Sequence, residues 1–366
     1  MGRVRSYDLE DSQQVVDLHK KVFFADTALP PSASQALTTY YSRALCDNPW
    51  NDDDLQSLVY EGDDGRVVGF LGVIARPMYF GHTAIRAAVY SSFMVDPGAR
   101  SPIVAAALLK HSMQGPQDLT LGDGGNDGMA TIWRAMGRPV FPLFSMKWWH
   151  PLRPCHFGLS RLIDSGTRPG MLFSMVASPP CRLVDNLIAR APKSPTRITR
   201  PPRGEGRDME MVELLECIER AAQTKKLRPA YDERSLQWLL DYVATANGRE
   251  RFHMTAVVGE DNAILGWYLH RSRRDRINEV LQIGAFGRSM DIVLKHAIHH
   301  SMEQGALLVQ GRLEPNLFEE IWNIGSMCKR APWFLAHSRD DEILCALARG
   351  DVFLSTWEHE LISLTL

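Results

Sequence analysis

The chain has 366 residues, enough for two domains of ordinary size, with 45% hydrophobic and 23% charged residues, the balance of a soluble globular protein. Its 41 Lys and Arg against 43 Asp and Glu leave no net field to recruit nucleic acid or an anionic membrane surface. Six cysteines without a CxxC pair argue against a metal site and fit reduced thiols, and no apolar segment reads as a signal peptide or a membrane span, so a cytoplasmic location is expected.

In chain order, SLVYEGDDGRVVGFLGV (57–73) reads as two strands joined by an Asp-Asp-Gly turn. The β-branched and aromatic run AVYSSFM (88–94) predicts a strand that leaves through VDPGAR (95–100) and restarts as an alanine-rich helix over 101–113. A strand that stops at a turn and feeds a helix at once is a common anion holder, because the first helical amides are unpaired and carry partial positive charge. Arg100 stands at that joint. The strand DLTLG (118–122), a helix near 127–136 and a strand in FPLFSMKWW (141–149) follow. KWWH (147–150) reads either as the lining of an apolar cleft or as a plain closing strand.

Residues 191–209, APKSPTRITRPPRGEGRDM, are rich in Pro, Gly and Arg and aperiodic, which predicts a linker between an N-terminal domain (1–190) and a C-terminal one (210–366). Beyond it, TAVVGEDNAILGWYL (255–269) is a second hairpin, followed by the strand EVLQI (279–283), a helix over about 289–303, the strand ALLVQGRL (306–313) and a helix near 316–324. RSRRDR (271–276) reads as a strand-connecting turn with a solvated charge run, against the alternative of an anion patch, and His299-His300 lack metal-ligand spacing. The order of elements repeats in the two halves. Gly69-Phe70-Leu71 answers Gly266-Trp267-Tyr268, Leu109-Lys110-His111 answers Leu294-Lys295-His296, and Ile132-Trp133 answers Ile321-Trp322, a pattern expected of a duplicated α/β unit.

The stretch from Val95 resembles motif A of the GNAT superfamily, the Gcn5-related N-acetyltransferases, whose pattern is VxPxxRGxGxG/A followed by a helix. Val95, Pro97, Arg100, Ala105, Ala107, Leu108 and Leu109 stand at the matching spacing, with Ser101 and Ile103 at two glycine positions. GNDGMATIWRAMG (125–137) is similar to motif B, with Asn126 and Gly137 matching and Trp133 in the place of the family's tyrosine. The resemblance covers about residues 1–150; the region 208–366 shares the element order alone.

What the resemblance implies is an α/β fold of mixed sheets in two tandem GNAT-like domains, the second degenerate. It implies binding of acetyl-CoA or another acyl-CoA by Phe93, Met94, Val95, Arg100, Ser101, Ile103, Val104, Ala105 and Asn126. The acceptor it implies is a primary amine of a small molecule or sugar, and a homodimer is left open. In such chemistry an amine attacks a thioester carbonyl and needs a proton sink, an oxyanion donor and a proton source. The oxyanion donor falls to the backbone near Phe93 or Met94. Asp123 is the candidate base, against the reading of a turn-forming aspartate, and Tyr90 is a candidate relay, against that of an ordinary strand residue; Asp127 reads as a helix N-cap. Trp133 carries an indole N–H that is no useful acid, so it reads either as a replaced proton source or as core packing like Trp322. The competing function is a GNAT-derived binding or scaffold protein without catalysis.

Overall fold

The computed structural model describes residues 2–24, 31–99, 102–164, 180–181, 183–188, 190, 202–246 and 251–358. Arg100, Ser101 and 191–201 of the expected linker lie outside the described residues. The chain begins with strand β1 (Arg3–Ser6), helices α1 (Ser12–Phe23) and α2 (Pro31–Leu45), and strands β2 (Leu58–Glu61), β3 (Val67–Phe80) and β4 (Thr83–Val95). Helix α3 (Pro102–Met113), strand β5 (Leu119–Gly125), helix α4 (Asp127–Ala135), strand β6 (Met146–Pro151) and helix α5 (Pro154–Asp164) come next. Then follow β7 (Glu205–Asp208), α6 (Met211–Ala222), β8 (Leu227–Pro229), α7 (Glu233–Ala246), β9 (Arg251–Val258), β10 (Ile264–Ser272) and β11 (Ile277–Ala285). The last elements are α8 (Met290–Glu303), β12 (Leu308–Arg312), α9 (Phe318–Asn323), β13 (Met327–Arg330), β14 (Trp333–Ser338) and α10 (Asp341–Arg349).

Two compact units result, each assembled from both halves of the sequence: 1–142 with 222–248 and 332–366, and 143–221 with 249–331. The sequence predicts the contiguous segments 1–190 and 210–366 instead. The difference comes from three strands, of which β8, in the segment 222–248, pairs antiparallel with β3 of the first unit. β14 pairs antiparallel with β5 and completes the sheet of the first unit, whereas β6, expected to close the first set of strands, pairs antiparallel with β12 and β13 in the second. Of the expected linker, residues 205–208 form β7, which pairs with β9.

The sheet of the first unit runs β1-β2-β3-β4-β5-β14, with β8 pairing β3; that of the second runs β13-β6-β12-β11-β10-β9-β7. In each, neighbours are antiparallel except for one parallel pair, β4 with β5 and β11 with β12. A helix makes each crossover, α3 in the first unit and α8 in the second, as a parallel connection requires. β3 and β4 are joined by a two-residue turn after Phe80 that begins with Gly81 at φ 60°, the left-handed backbone that a tight hairpin demands. α3 lays Val104, Leu108, Leu109 and Met113 into the core of the first unit. Gly69 on β3 lets it come close: a Cβ there would stand 2.7 Å from Val104 Cγ1.

Two sequence readings change in the folded chain. Trp133 is fully buried in the first unit, whereas Trp322 is 75% exposed in the second, so Trp322 is not a core residue and the two tryptophans do not play one part. The run 271–276 is not simply a solvated turn. Arg271 is a buried residue of β10 whose Nη2 lies 2.7 Å from Glu279 Oε2, its cross-strand partner on β11. Burying an arginine requires such a partner, since an unpaired buried charge is costly.

In the second unit His253, His270 and His300 gather around Gln304. The His253 and His270 rings stack with centroids 4.8 Å apart, and Gln304 Oε1 lies 3.2 Å from His270 Nε2. Burial lowers the pKa of His270 to about 3, and that of His19 in the first unit to about 4, so both are neutral in the native state. The unfolded chain binds these protons below about pH 6.5, where the native state does not. The stability they confer is therefore complete above about pH 6.5 and lost as the pH falls toward about 4, on the order of 1–3 kcal/mol for each. Urea unfolding at stepped pH should show the midpoint dropping through that window; a flat midpoint would contradict the burial of neutral imidazoles.

Candidate functional site

β4 and β5 run in parallel register from Ala87 opposite Leu119 to Tyr90 opposite Gly122 and then part. On β4 the parting coincides with a bulge. The ladder to β3 pairs Ser91 with Gly72 and Met94 with Phe70, so Ser92 and Phe93 together oppose Leu71 alone. Ser92 takes φ 52°, a conformation that costs a non-glycine residue energy and that accumulates at functional sites. β5 passes through Gly124 at φ 91° and is followed by Asn126, whose Oδ1 accepts the Met129 N–H at 2.9 Å. Asn126 is therefore the N-cap of α4, with extended backbone (φ −78°, ψ 176°). Asp127 is not the cap that the sequence suggested: it is already helical, and its Oδ1 accepts the Trp333 indole N–H at 2.7 Å.

Between the parted strands lies a cavity of about 950 Å³. Ser91, Ser92, Phe93 and Val95 of β4 form one wall, the segment from Gly122 to Gly128 another, and Met129 and Ile132 of α4 close it beside Leu335. His19, Val22, Phe23 and Phe24 of and after α1 complete the lining, with Ala105 from α3. The surface is largely apolar, with polar groups at the strand ends and at His19 of α1 and Asp127 of α4.

Those polar groups are held in place. The hydroxyls of Tyr40 on α2 and Ser91 share a short hydrogen bond. His19 Nδ1 lies 2.7 Å from the Tyr41 hydroxyl, and burial keeps its ring neutral. Asp123 follows directly on the last parallel pair, and its Oδ1 accepts the Gly124 N–H at 2.9 Å. Ahead of α3, Asp96 Oδ1 accepts the Gly98 N–H at 2.7 Å and also lies 2.7 Å from Lys21 Nζ. The loop thus has a lysine at its side that offsets the charge of its own aspartate.

Among the residues singled out from the sequence, the cavity brings together Tyr90, Phe93, Val95, Ala105, Asp123 and Asn126. Met94 and Val104 are buried outside its lining, and Ile103 is 65% exposed, its branched side chain turned to solvent. Tyr90 carries a buried phenol facing the Ser112 and Thr120 hydroxyls, and burial pushes its pKa up to about 12. Trp133 packs edge-on against Tyr90 with ring centroids 6.4 Å apart and donates its indole N–H to Pro139 O at 3.0 Å. It contributes to the core, and its neighbour Ile132 lines the cavity instead. The sequence gives no sign of His19, because α1 carries no motif and only the fold brings its end to this cavity. Among the described residues no group of three or more His, Cys, Asp or Glu side chains is placed to hold a metal ion. No helix among them is long and apolar enough to cross a membrane.

Two mixed sheets, each with one parallel pair crossed over by a helix, and a bulged strand parting from its parallel neighbour make a mixed α/β fold similar to that of solved GCN5-related N-acetyltransferases. Solved structures share it across almost the whole chain. A GCN5-related N-acetyltransferase from Anabaena variabilis is 11% identical with a TM-score of 0.58, over 94% of this chain and 74% of that one. A conserved protein of Enterococcus faecalis described as a probable N-acyltransferase is 10% identical with a TM-score of 0.56, over 92% and 72%. The Saccharomyces cerevisiae N-myristoyltransferase, solved with bound myristoyl-CoA, is 10% identical with a TM-score of 0.52, over 92% and 82%. No family model matches the sequence, and no curated protein matches it.

Proposed function

We propose that this protein is an N-acyltransferase that moves an acetyl or longer acyl group from acyl-CoA to a primary amine of a small molecule or sugar. The observation that carries this reading is the parting of β4 and β5 over a large cavity at a bulge. A thioester laid in that opening would put its carbonyl against the bulged backbone of Ser92 and Phe93, where an N–H can stabilise the developing oxyanion. Asp123 stands on the opposite strand as the base for the attacking amine, and the thiolate of coenzyme A departs. The pyrophosphate belongs at the start of α3, where helical amides and Arg100 offer positive charge. The second unit is proposed as a degenerate copy that binds no acyl-CoA, since RSMDIVLKH (288–296) has no VxP signal. The apolar lining, and the myristoyl-CoA bound by the yeast relative in fold, support an acyl chain longer than acetyl.

Calorimetric titration with acetyl-CoA and octanoyl-CoA tests the binding half of the proposal. One equivalent should bind per chain, octanoyl-CoA at least about tenfold more tightly, because each buried methylene contributes up to ~0.8 kcal/mol. Arg100→Glu should weaken either ligand by about 1–3 kcal/mol, the range for a lost charge-assisted contact. Two equivalents would seat a second site in the other unit, and no binding would remove the proposal. Thiol release over a panel of amines tests the transfer half. Binding without release would favour the scaffold reading, which the burial of Trp133 at the family's tyrosine position supports.

A further inference from the structure

In the second unit, apart from the cavity, two thiols meet. Cys155 in the first turn of α5 has its Sγ 2.8 Å from Cys181 Sγ. The contact is framed by Asp185, four residues after Cys181. Its Oδ1 accepts the Cys155 N–H at 2.7 Å, while its Oδ2 accepts the His156 N–H at 3.2 Å and lies 2.6 Å from His156 Nδ1. One buried carboxylate thus ties the start of α5 to the segment that carries Cys181 and fixes the two thiols face to face. The arrangement does not suit a metal: two thiolates on one tetrahedral zinc stand about 3.8 Å apart. His156 Nδ1 is taken by Asp185.

We propose that Cys155 and Cys181 are a redox pair that closes reversibly into an intramolecular disulfide. Cys155 is half-buried and Cys181 buried, which makes Cys155 the attacking thiol and Cys181 the resolving one. With a low-molecular-weight disulfide such as oxidised glutathione as oxidant, the Cys155 thiolate attacks one glutathione sulfur, a Cys155–glutathione bond forms and one glutathione thiolate leaves. The Cys181 thiolate then attacks Cys155 Sγ and expels the second glutathione. Two thiol protons and two electrons leave the protein, and one glutathione disulfide becomes two thiols. Excess thiol reverses the sequence. The hydrogen bond that Cys155 donates to Cys181 and burial both raise the Cys155 pKa, so the thiolate fraction is small at neutral pH. Closure should therefore quicken by about tenfold per pH unit on the alkaline side.

The full chain carrying Cys328→Ser and Cys345→Ser, which removes the two exposed thiols, provides the test. Reduced, it should titrate as four thiols; after oxidised glutathione it should titrate as two, with a 155–181 linked peptide in the digest, and should return to four with dithiothreitol. Cys181→Ser in that background should instead stop at a stable adduct of one glutathione on Cys155. Four thiols persisting after oxidation, or a glutathione adduct on Cys155 that never resolves while Cys181 is present, would overturn the proposal. Neither readout depends on acyl transfer, so failure here is separate from failure of the acyltransferase reading.

Discussion

Asp123→Asn is expected to lower amine acylation by about 10²–10⁴-fold while acyl-CoA affinity stays within about a factor of two, the loss that follows removal of a positioned base. The isosteric change is chosen because it separates the two parts this residue can play. As a turn residue, Asp123 contributes an oxygen that accepts the Gly124 N–H at 2.9 Å, and an asparagine carbonyl accepts the same bond. As a base it contributes a carboxylate that takes a proton, which an amide does not. Asp123 stands immediately after the last pair of the parallel ladder, across the opening from Ser91 and Ser92, where an amine approaching a thioester would meet it. Single-turnover acylation by the purified variant, paired with calorimetry, reads the two effects independently. Turnover equal to wild type at unchanged affinity would leave Asp123 as a turn former and shift the search for a base to His19, whose neutral ring also faces the cavity.

What the sequence revealed of this site is what local backbone chemistry writes into it. A β-branched strand, Asp-Pro-Gly and an alanine-rich run specify strand, turn and helix without reference to distant residues. The observed elements, β4 to Val95 and α3 from Pro102, follow that grammar closely. The bulge at Ser92 and Phe93 was not legible, because it arises from a register shift against β3 and leaves no compositional mark. Nor was the exchange of β6 and β14 between units. An apolar run such as FPLFSMKWW satisfies any buried strand position, and which sheet receives it is decided by pairings well over a hundred residues apart. The charge run at 271–276 misled for a related reason. Arg271 lies among arginines that face water, and only its cross-strand position opposite Glu279, on the far side of the turn, marks it as paired.

The buried Trp133 gives the second large expected effect, on stability. Trp133→Ala should destabilise the protein by about 3–5 kcal/mol, the cost of emptying a fully buried aromatic site. Its indole fills the first unit's core against Tyr90 and gives up a hydrogen bond to Pro139 O on removal. Urea unfolding followed by circular dichroism would measure this directly. Trp133→Tyr separates the core role from a chemical one. The phenol would enter the core, fill less of the space and lack the geometry of the indole N–H, so a loss of about 1–3 kcal/mol is expected with turnover per folded molecule unchanged. Turnover that rose with the tyrosine would place position 133 beside the departing sulfur and revise its assignment to the core. The same arrangement shapes the alkaline behaviour of the wild-type protein. Trp133 supplies no acid, and the Tyr90 phenol, at about 12, titrates beyond the working range. The rate should therefore rise as the amine loses its proton and then hold level past about pH 10, without the descending limb that an ordinary tyrosine acid would add.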